Sequence, residues 1–224
     1  MLKIAHRGAS GTEPENTLRS FSRALAMNVD AIELDVHLTK DKKLVVIHDN
    51  SVKRTTNGRG YVKNLTLKQL QKLDAGLNET IPTLKEIFDL VNKKIMIHIE
   101  LKGKGTAKPV LKLIETYVKK GWWYNHFIIS SFNFKELEDF YKLSKKVRIG
   151  VLFERNPEKY FQKAALINAY SINFPMALVT KKYVEKAHKE ELKLYVWTVN
   201  TKREIAKMRK LKVDGIFSNY PDRI

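Results

Sequence analysis

The chain has 224 residues, 43% of them hydrophobic and 29% charged, with no cysteine and a net charge of +18 from 42 basic and 24 acidic residues. The missing cysteines exclude a disulfide framework and a thiolate zinc site; no run approaches the roughly 20 apolar residues of a membrane span, and the opening Met1-Leu2-Lys3-Ile4-Ala5-His6-Arg7 has no secretory h-region. The expectation is a soluble, cytoplasmic protein without stable membrane insertion, whose dispersed lysines form solvated helix faces and attract anionic ligands over distance.

From the N-terminus, strand-like and helix-like segments alternate. Strands are predicted over residues 3–6, 31–38, 95–101, 127–131, 148–153, 171–174, 193–199 and 215–218. Helical patterns fall between them, over 15–27, 84–91, 108–120, 134–143, 158–167, 181–190 and 201–211. Such alternation implies parallel βαβ units. Eight strands in a chain of this length point to an α/β fold of the (β/α)8 TIM-barrel type. No Gly-x-Gly-x-x-Gly follows the first strand, which argues against a dinucleotide-binding sheet.

After the second strand, Thr39-Lys40-Asp41-Lys42-Lys43 reads as a turn into another apolar strand, 44–48, returning as a hairpin over the mouth. Residues 50–82 are polar and turn-rich, with a short helix predicted over 67–73. Residues 39–82 are therefore read as an insertion within one domain spanning 1–224, too short to bury a strong core alone. Asn28 is read as the left-handed stop of the first helix. Glu15 and Asn16 are read as starting that helix in capping roles, within reach of the site.

Side chains alternate across a strand, so two faces can be separated on paper. Over 31–38 one face is Ile32, Leu34, Val36 and Leu38, and the other Ala31, Glu33, Asp35 and His37. Over 95–102 the faces are Ile95, Ile97, Ile99, Leu101 and Met96, His98, Glu100, Lys102. In a barrel the aliphatic faces pack under the helices and the polar faces point inward. Catalytic groups sit at C-terminal strand ends, near which Glu33, Asp35, Glu100 and Lys102 fall. A single such strand would also fit a half-exposed antiparallel sheet; two strands within a β/α alternation favour the barrel interior. Buried carboxylates without partners are costly. Three of them make a hard oxygen site for Mg²⁺, Ca²⁺ or Mn²⁺. His6 and His48 offer an acid/base pair near neutrality, against a plain reading as core histidines. Arg7 can grip a phosphate through its fork of donors, and Lys102 can pair with a carboxylate or bind a phosphate oxygen.

The chain resembles the glycerophosphodiester phosphodiesterase family. The likeness rests on His6-Arg7-Gly8, Pro14-Glu15-Asn16-Thr17, Glu33-Leu34-Asp35-Val36, Thr39-Lys40-Asp41, residues 45–49 and Arg54-Thr55-Thr56-Asn57-Gly58. Downstream it continues through Ile99-Glu100-Leu101-Lys102, Trp197-Thr198-Val199-Asn200 and Asp214-Gly215-Ile216-Phe217-Ser218-Asn219-Tyr220-Pro221-Asp222. It is collinear from residue 3 to 222. The resemblance implies a TIM barrel with a small insertion after the second strand, and hydrolysis of glycerophosphodiesters to sn-glycerol 3-phosphate and an alcohol. It implies Glu33, Asp35 and Glu100 as ligands of a divalent cation, His6 and His48 as the acid/base pair, Arg7 and Lys102 on the phosphate, and Trp197 on the glycerol side. In the family a glycerol hydroxyl is thought able to attack phosphorus, giving a cyclic phosphate that water opens.

The chain departs from the family pattern at Val29, where glycine is frequent, and at His98, where a smaller residue is usual. His98 is read as an interior histidine hydrogen-bonded below the metal site, with a ligand or supporting role as the alternative. His37, His126 and His188 are read as structural or surface residues. The alternative function is a related barrel phospholipase, of lysophospholipase D or phosphoinositide type, for which Trp122-Trp123-Tyr124 hints at a docking segment. A basic nucleic-acid-binding barrel is the weaker rival, since it leaves the interior carboxylates without a purpose. The expected partner is a small-molecule glycerophosphodiester, with no nucleic acid.

Overall fold

The polar faces of the strands turn inward and the aliphatic faces outward, which closes the sheet on itself. The computed structural model describes residues 1–224. The strands are β1 (Leu2–His6), β2 (Ala31–Leu38), β3 (Leu44–Val46), β4 (Met96–Leu101), β5 (Phe127–Ser131), β6 (Arg148–Leu152), β7 (Ser171–Pro175), β8 (Lys193–Trp197) and β9 (Gly215–Ser218). All but β3 pair in parallel around a ring that closes through β1–β2 and β1–β9. The helices are α1 (Leu18–Ala26), α2 (Leu67–Leu70), α3 (Leu84–Val91), α4 (Ala107–Val118), α5 (Phe134–Leu143), α6 (Pro157–Leu166), α7 (Lys181–Lys189) and α8 (Lys202–Leu211). This is the TIM barrel expected from the alternation, with α2 in the insertion and the other helices between successive barrel strands.

Two apolar layers hold it. Ile32, Leu34, Ile97, Ile99 and Ile129 pack outward against Phe21, Phe88, Ile114 and their neighbours on the helices, and all are fully buried. Each such side chain contributes about 1.5–3 kcal/mol of burial. Inside, Ile4, Ala31, Ile128, Tyr195 and Phe217 form a smaller plug at the barrel floor. The insertion carries its own small cluster of Val45, Ile47, Val52, Val62, Leu70 and Ile81.

Helix starts are satisfied by side chains, as orphan N-terminal amides require. Thr17, Thr83 and Thr201 form capping boxes with Ser20, Glu86 and Glu204. The first helix therefore begins at Leu18 and not at Glu15. Asn16 adopts φ +59°, outside a helix, so Thr17 is the cap and Glu15 and Asn16 are free to face the site. Thr106, before α4, makes no side-chain cap. Buried Glu136 of α5 substitutes, accepting from Gly105 N at 2.6 Å and Ala107 N at 3.3 Å. Asn28 takes φ +52° after α1, as expected. The predicted helix over 67–73 shortens to a single turn, Leu67–Leu70, capped by Thr66.

The hairpin is the element that shapes the mouth. β3 runs antiparallel to β2 with Val36 opposite Val46 and Leu38 opposite Leu44. Thr39 fixes its turn, donating to Asp41 Oδ1 at 2.7 Å and accepting from Lys43 N at 2.9 Å. Ile47 N then donates to Asp35 O at 2.9 Å, which anchors His48 at the C-terminal end of β2. No helix is long and apolar enough to cross a membrane. Trp122 is buried, stacked between Phe88 and Phe127, and only Trp123 is exposed. Both precede β5, at the end of the barrel away from the mouth, so this segment forms no apolar rim around the pocket.

Candidate active site

The site begins where β1 ends. Arg7 takes φ +56° and Gly8 φ +81°, a sharp left-handed turn. A Cβ on Gly8 would lie 2.4 Å from Ser20 Oγ, so glycine is required there. The turn aims Arg7 N at Glu33 Oε2, 3.0 Å away. The Arg7 guanidinium reaches Glu15 Oε1 at 3.0 Å, and its Nε lies 3.4 Å from Asp35 Oδ2. That Nε is buried and has no aligned acceptor, so one donor is left over. His6 Nδ1 lies 2.6 Å from Asn219 Oδ1. Because that oxygen only accepts, Nδ1 carries the proton and Nε2 keeps its lone pair, 3.9 Å from Glu33 Oε2. Burial, reinforced by the Arg7 charge, pulls His6 down to about 4.

Adjacent strands in register bring the carboxylates together. Asp35 pairs with Glu100 across β2–β4, and Glu33 sits opposite His6 across β1–β2. One oxygen from each of Glu33, Asp35 and Glu100 lies within 4.8 Å of the others, and all three residues are buried. Desolvation, then the neighbouring Asp35, raises Glu33 well above the usual range and Glu100 to about 8. Asn16 Nδ2 donates to Asp35 Oδ2 at 2.9 Å, while Asp35 Oδ1 is buried with no partner at all. An orphaned carboxylate oxygen facing two other carboxylates fits a divalent cation, the partner that removes both the desolvation cost and the repulsion.

On the opposite lip, His48 Nδ1 lies 2.6 Å from Asp49 Oδ1, and Lys102 Nζ lies 3.1 Å from His48 Nε2. The ammonium has no lone pair, so Nε2 is the acceptor and Nδ1–H points at Asp49. Lys102 Nζ is also 3.1 Å from Glu100 Oε1. Arg54 binds Asp49 Oδ2 at 2.7 Å and Glu15 Oε2 at 2.8 Å. Its hydrogen bond, more than any other contact, holds the Asp49 carboxyl far below the usual range. A chain of ion pairs thus runs His48–Asp49–Arg54–Glu15–Arg7 and ties the insertion to the β1 turn.

A cavity of about 410 Å³ lies between these groups. His6, Arg7, Glu33, His48, Glu100, Lys102 and Trp197 all line it, and Asp35 lies in the carboxylate cluster at its base. Phe132, Leu152 and Glu154 complete the far wall. Trp197 Nε1 donates to Asn173 O at 3.2 Å, and its ring meets Phe132 edge-on at 5.4 Å. Sequence reasoning missed Asn219, Asp49 and Arg54 as partners, although Arg54 and Asn219 stand in stretches that carry the family likeness.

His98 differs from its expectation. It is fully buried, but neither ring nitrogen has a hydrogen-bond partner. It packs edge-on against Tyr195 and Phe217, with ring centres 5.5 and 5.3 Å away, and burial lowers it to about 3. The aromatic floor offers faces and edges where a polar partner was expected. His37, read as a structural or surface residue, donates from Nε2–H to His48 O at 3.1 Å and so braces the hairpin.

With this geometry in place, the likeness to known proteins is specific. Residues 6–223 match the model of the glycerophosphoryl diester phosphodiesterase family. The whole chain aligns with 96% of a glycerophosphodiester phosphodiesterase from Caldanaerobacter subterraneus subsp. tengcongensis at 41% identity. It aligns equally fully with 96% of one from Bacillus altitudinis at 38% identity. An Oleispira antarctica phosphodiesterase, solved in complex with the product sn-glycerol-3-phosphate, superposes with a TM-score of 0.91 at 28% identity, covering 99% of this chain and 94% of that one. A glycerophosphodiester phosphodiesterase from Thermotoga maritima superposes at 0.84, also at 28% identity, covering 99% and 96%. A barrel whose mouth joins two histidines, two cations and three buried carboxylates, matched along its full length, belongs to the glycerophosphoryl diester phosphodiesterase family.

Proposed function

We propose that the protein hydrolyses glycerophosphodiesters to sn-glycerol 3-phosphate and an alcohol, with all groups acting from the one cavity at the barrel mouth. The observation that carries this reading is the convergence there of two histidines, two cations and the carboxylate triad. Glu33, Asp35 and Glu100 would hold the divalent cation, Mg²⁺, Ca²⁺ or Mn²⁺. When bound, it neutralises charge on the phosphoryl oxygens.

This chain's own side chains supply the rest. Arg7 and Lys102, which both line the cavity, hold the phosphate between them. His6, kept neutral by burial, suits the role of base: its Nε2 takes the proton of the attacking water, or of a glycerol hydroxyl whose cyclic phosphate water then opens to glycerol 3-phosphate. His48, oriented through Nδ1–H by the Asp49 carboxylate, takes the role of acid: once protonated and turned from Lys102, its Nε2–H gives a proton to the departing alkoxide. Asp49 and Arg54 set the orientation of His48, as Asn219 sets that of His6. The flat apolar face of Trp197 lines the glycerol side. The insertion works within the same unit, since it supplies His48, Asp49 and Arg54. Such an activity is consistent with a cysteine-free, cytoplasmic enzyme.

An assay coupling glycerol 3-phosphate release to a dehydrogenase, run over several glycerophosphodiesters and metals, tests the reading. Release of glycerol 3-phosphate that stops on chelation and returns with metal is the expected result. No release from any diester with any of the three metals would overturn it.

A further inference from the structure

A second cleft, about 770 Å³, opens beside the catalytic cavity, between the β2–β3 turn, the insertion and the loop after β4. Lys42, Lys63, Lys102 and Lys104 line it, and no aspartate or glutamate does. Some exposed lysines on the helices have an acidic partner one turn away, as in Lys85–Asp89, Lys135–Asp139 and Lys181–Glu185. Lys42, Lys63 and Lys104 are exposed, and none forms an ion pair. Uncompensated cations gathered around one concavity repel one another and raise the local potential for an anion.

The two cavities share a wall. Lys102 is the one residue that lines both, and its Nζ sits 3.1 Å from His48 Nε2. His37, which braces His48 from behind, and Asn50, two residues beyond it, also line the second cleft. An alcohol that takes its proton from His48 therefore departs beside Lys102, the residue shared with the second cleft. We propose that this cleft binds a second phosphate carried by the leaving alcohol, so that the preferred substrates are glycerophosphodiesters whose alcohol is itself phosphorylated. The proposal rests on the phosphodiesterase reading and adds the class of substrate.

Glycerophosphoinositol and glycerophosphoinositol 4-phosphate differ only by that second phosphate and serve as the probe pair. The metal-loaded enzyme should favour the phosphorylated diester in kcat/KM by about tenfold or more at low salt, and the preference should shrink as ionic strength rises. The variant Lys42→Gln/Lys63→Gln/Lys104→Gln should bring the pair to within about twofold of parity while leaving glycerophosphoinositol turnover nearly unchanged. A control, Lys182→Gln/Lys207→Gln/Lys210→Gln, removes equal charge from the outer helices and should keep the preference. Equal turnover of the pair by the native enzyme would overturn the proposal while leaving the phosphodiesterase reading intact. Loss of preference in the control as well would also overturn it, because net charge would then suffice. Inorganic phosphate modulating glycerophosphoinositol turnover through the same three lysines, without any substrate preference, would replace it with a free-phosphate site. No hydrolysis of either probe or of glycerophosphocholine would remove the parent reading and the proposal together.

Discussion

The barrel mouth and the outer helical shell are built from the same strands and the same residue types, yet they treat charge in opposite ways. In the shell, threonine capping boxes satisfy the starts of α1, α3 and α8, and Glu136 serves the two amides at the start of α4. Its ion pairs stand in water. At the mouth, three carboxylates are buried against each other, Asp35 Oδ1 has no partner, and Arg7 adopts a left-handed turn. The shell is organised for stability and the mouth against it, which is the expected division between the two parts of such a barrel.

If that division is right, the largest effects on chemistry must come from the mouth with little effect on folding. His6→Ala and His48→Ala should each lower kcat by about 10²–10⁴-fold. Neither side chain belongs to the apolar core, so the thermal midpoint of each should stay near the native value. Glycerol 3-phosphate release and a melting curve on the same samples check both halves. Near-normal turnover in both variants would sink the acid/base assignment.

Chelation probes the cost of the carboxylate cluster. Glu33 and Glu100 have folded pKa values raised above their unfolded ones, Glu100 to about 8. Between the ordinary carboxylate range and about 8, these two groups bind more protons in the metal-free native state than in the unfolded state. Stability is therefore fully present below the unfolded pKa and is lost as pH rises through the folded one. Buried neutral His6 and His98 act with the opposite sign below about pH 6.5, so the net loss in the metal-free protein, on the order of 2 kcal/mol, should appear between about pH 6.5 and pH 8. Adding Mg²⁺ or Ca²⁺ should flatten that slope. Denaturation with and without EDTA across this range measures it, and a metal-free protein that becomes more stable with rising pH would contradict the cluster as described.

Asp49 sharpens the contrast, because it is an ion pair that acts through another residue. Asp49→Asn removes the carboxylate that orients His48 Nδ1–H. A drop in kcat of about 10–100-fold with little change in KM is expected. An equal change in KM and kcat would reduce Asp49 to a structural role.

How much of this was legible from residues alone follows from periodicity. The two-residue alternation along β2 and β4 separated Glu33, Asp35, Glu100 and Lys102 from their aliphatic neighbours, because strand geometry is regular and the barrel covers both faces. The hairpin returning over the mouth was also legible from its turn and its apolar run. Asn219, Asp49, Arg54 and the three cleft lysines were not. They lie in loops and in the insertion, whose path has no period, and their meeting depends on closure of β9 against β1 and on the Asn16 and Arg7 backbones. The start of α1 shows the same limit: Glu15 fits a helical pattern, but Asn16 at φ +59° breaks it and releases Glu15 to Arg7 and Arg54.

The smallest expected effect compares two lysine–carboxylate pairs directly. Lys135–Asp139 in the shell is the shorter, at 2.8 Å, and Lys102–Glu100 at the mouth is 3.1 Å. Distance ranks them one way and environment the other. The shell pair joins two flexible, largely exposed side chains across one helical turn, where water screens the attraction and ordering the chains offsets it. The mouth pair is largely buried, and a third group, His48 Nε2, shares the ammonium. Lys135→Ala should therefore leave turnover unchanged and move the melting temperature by no more than about 1 °C, with no salt dependence beyond that of the native protein. A larger loss would mean that the shell's ion pairs support the barrel as strongly as its caps and aliphatic faces do, and the division between mouth and shell would have to be redrawn.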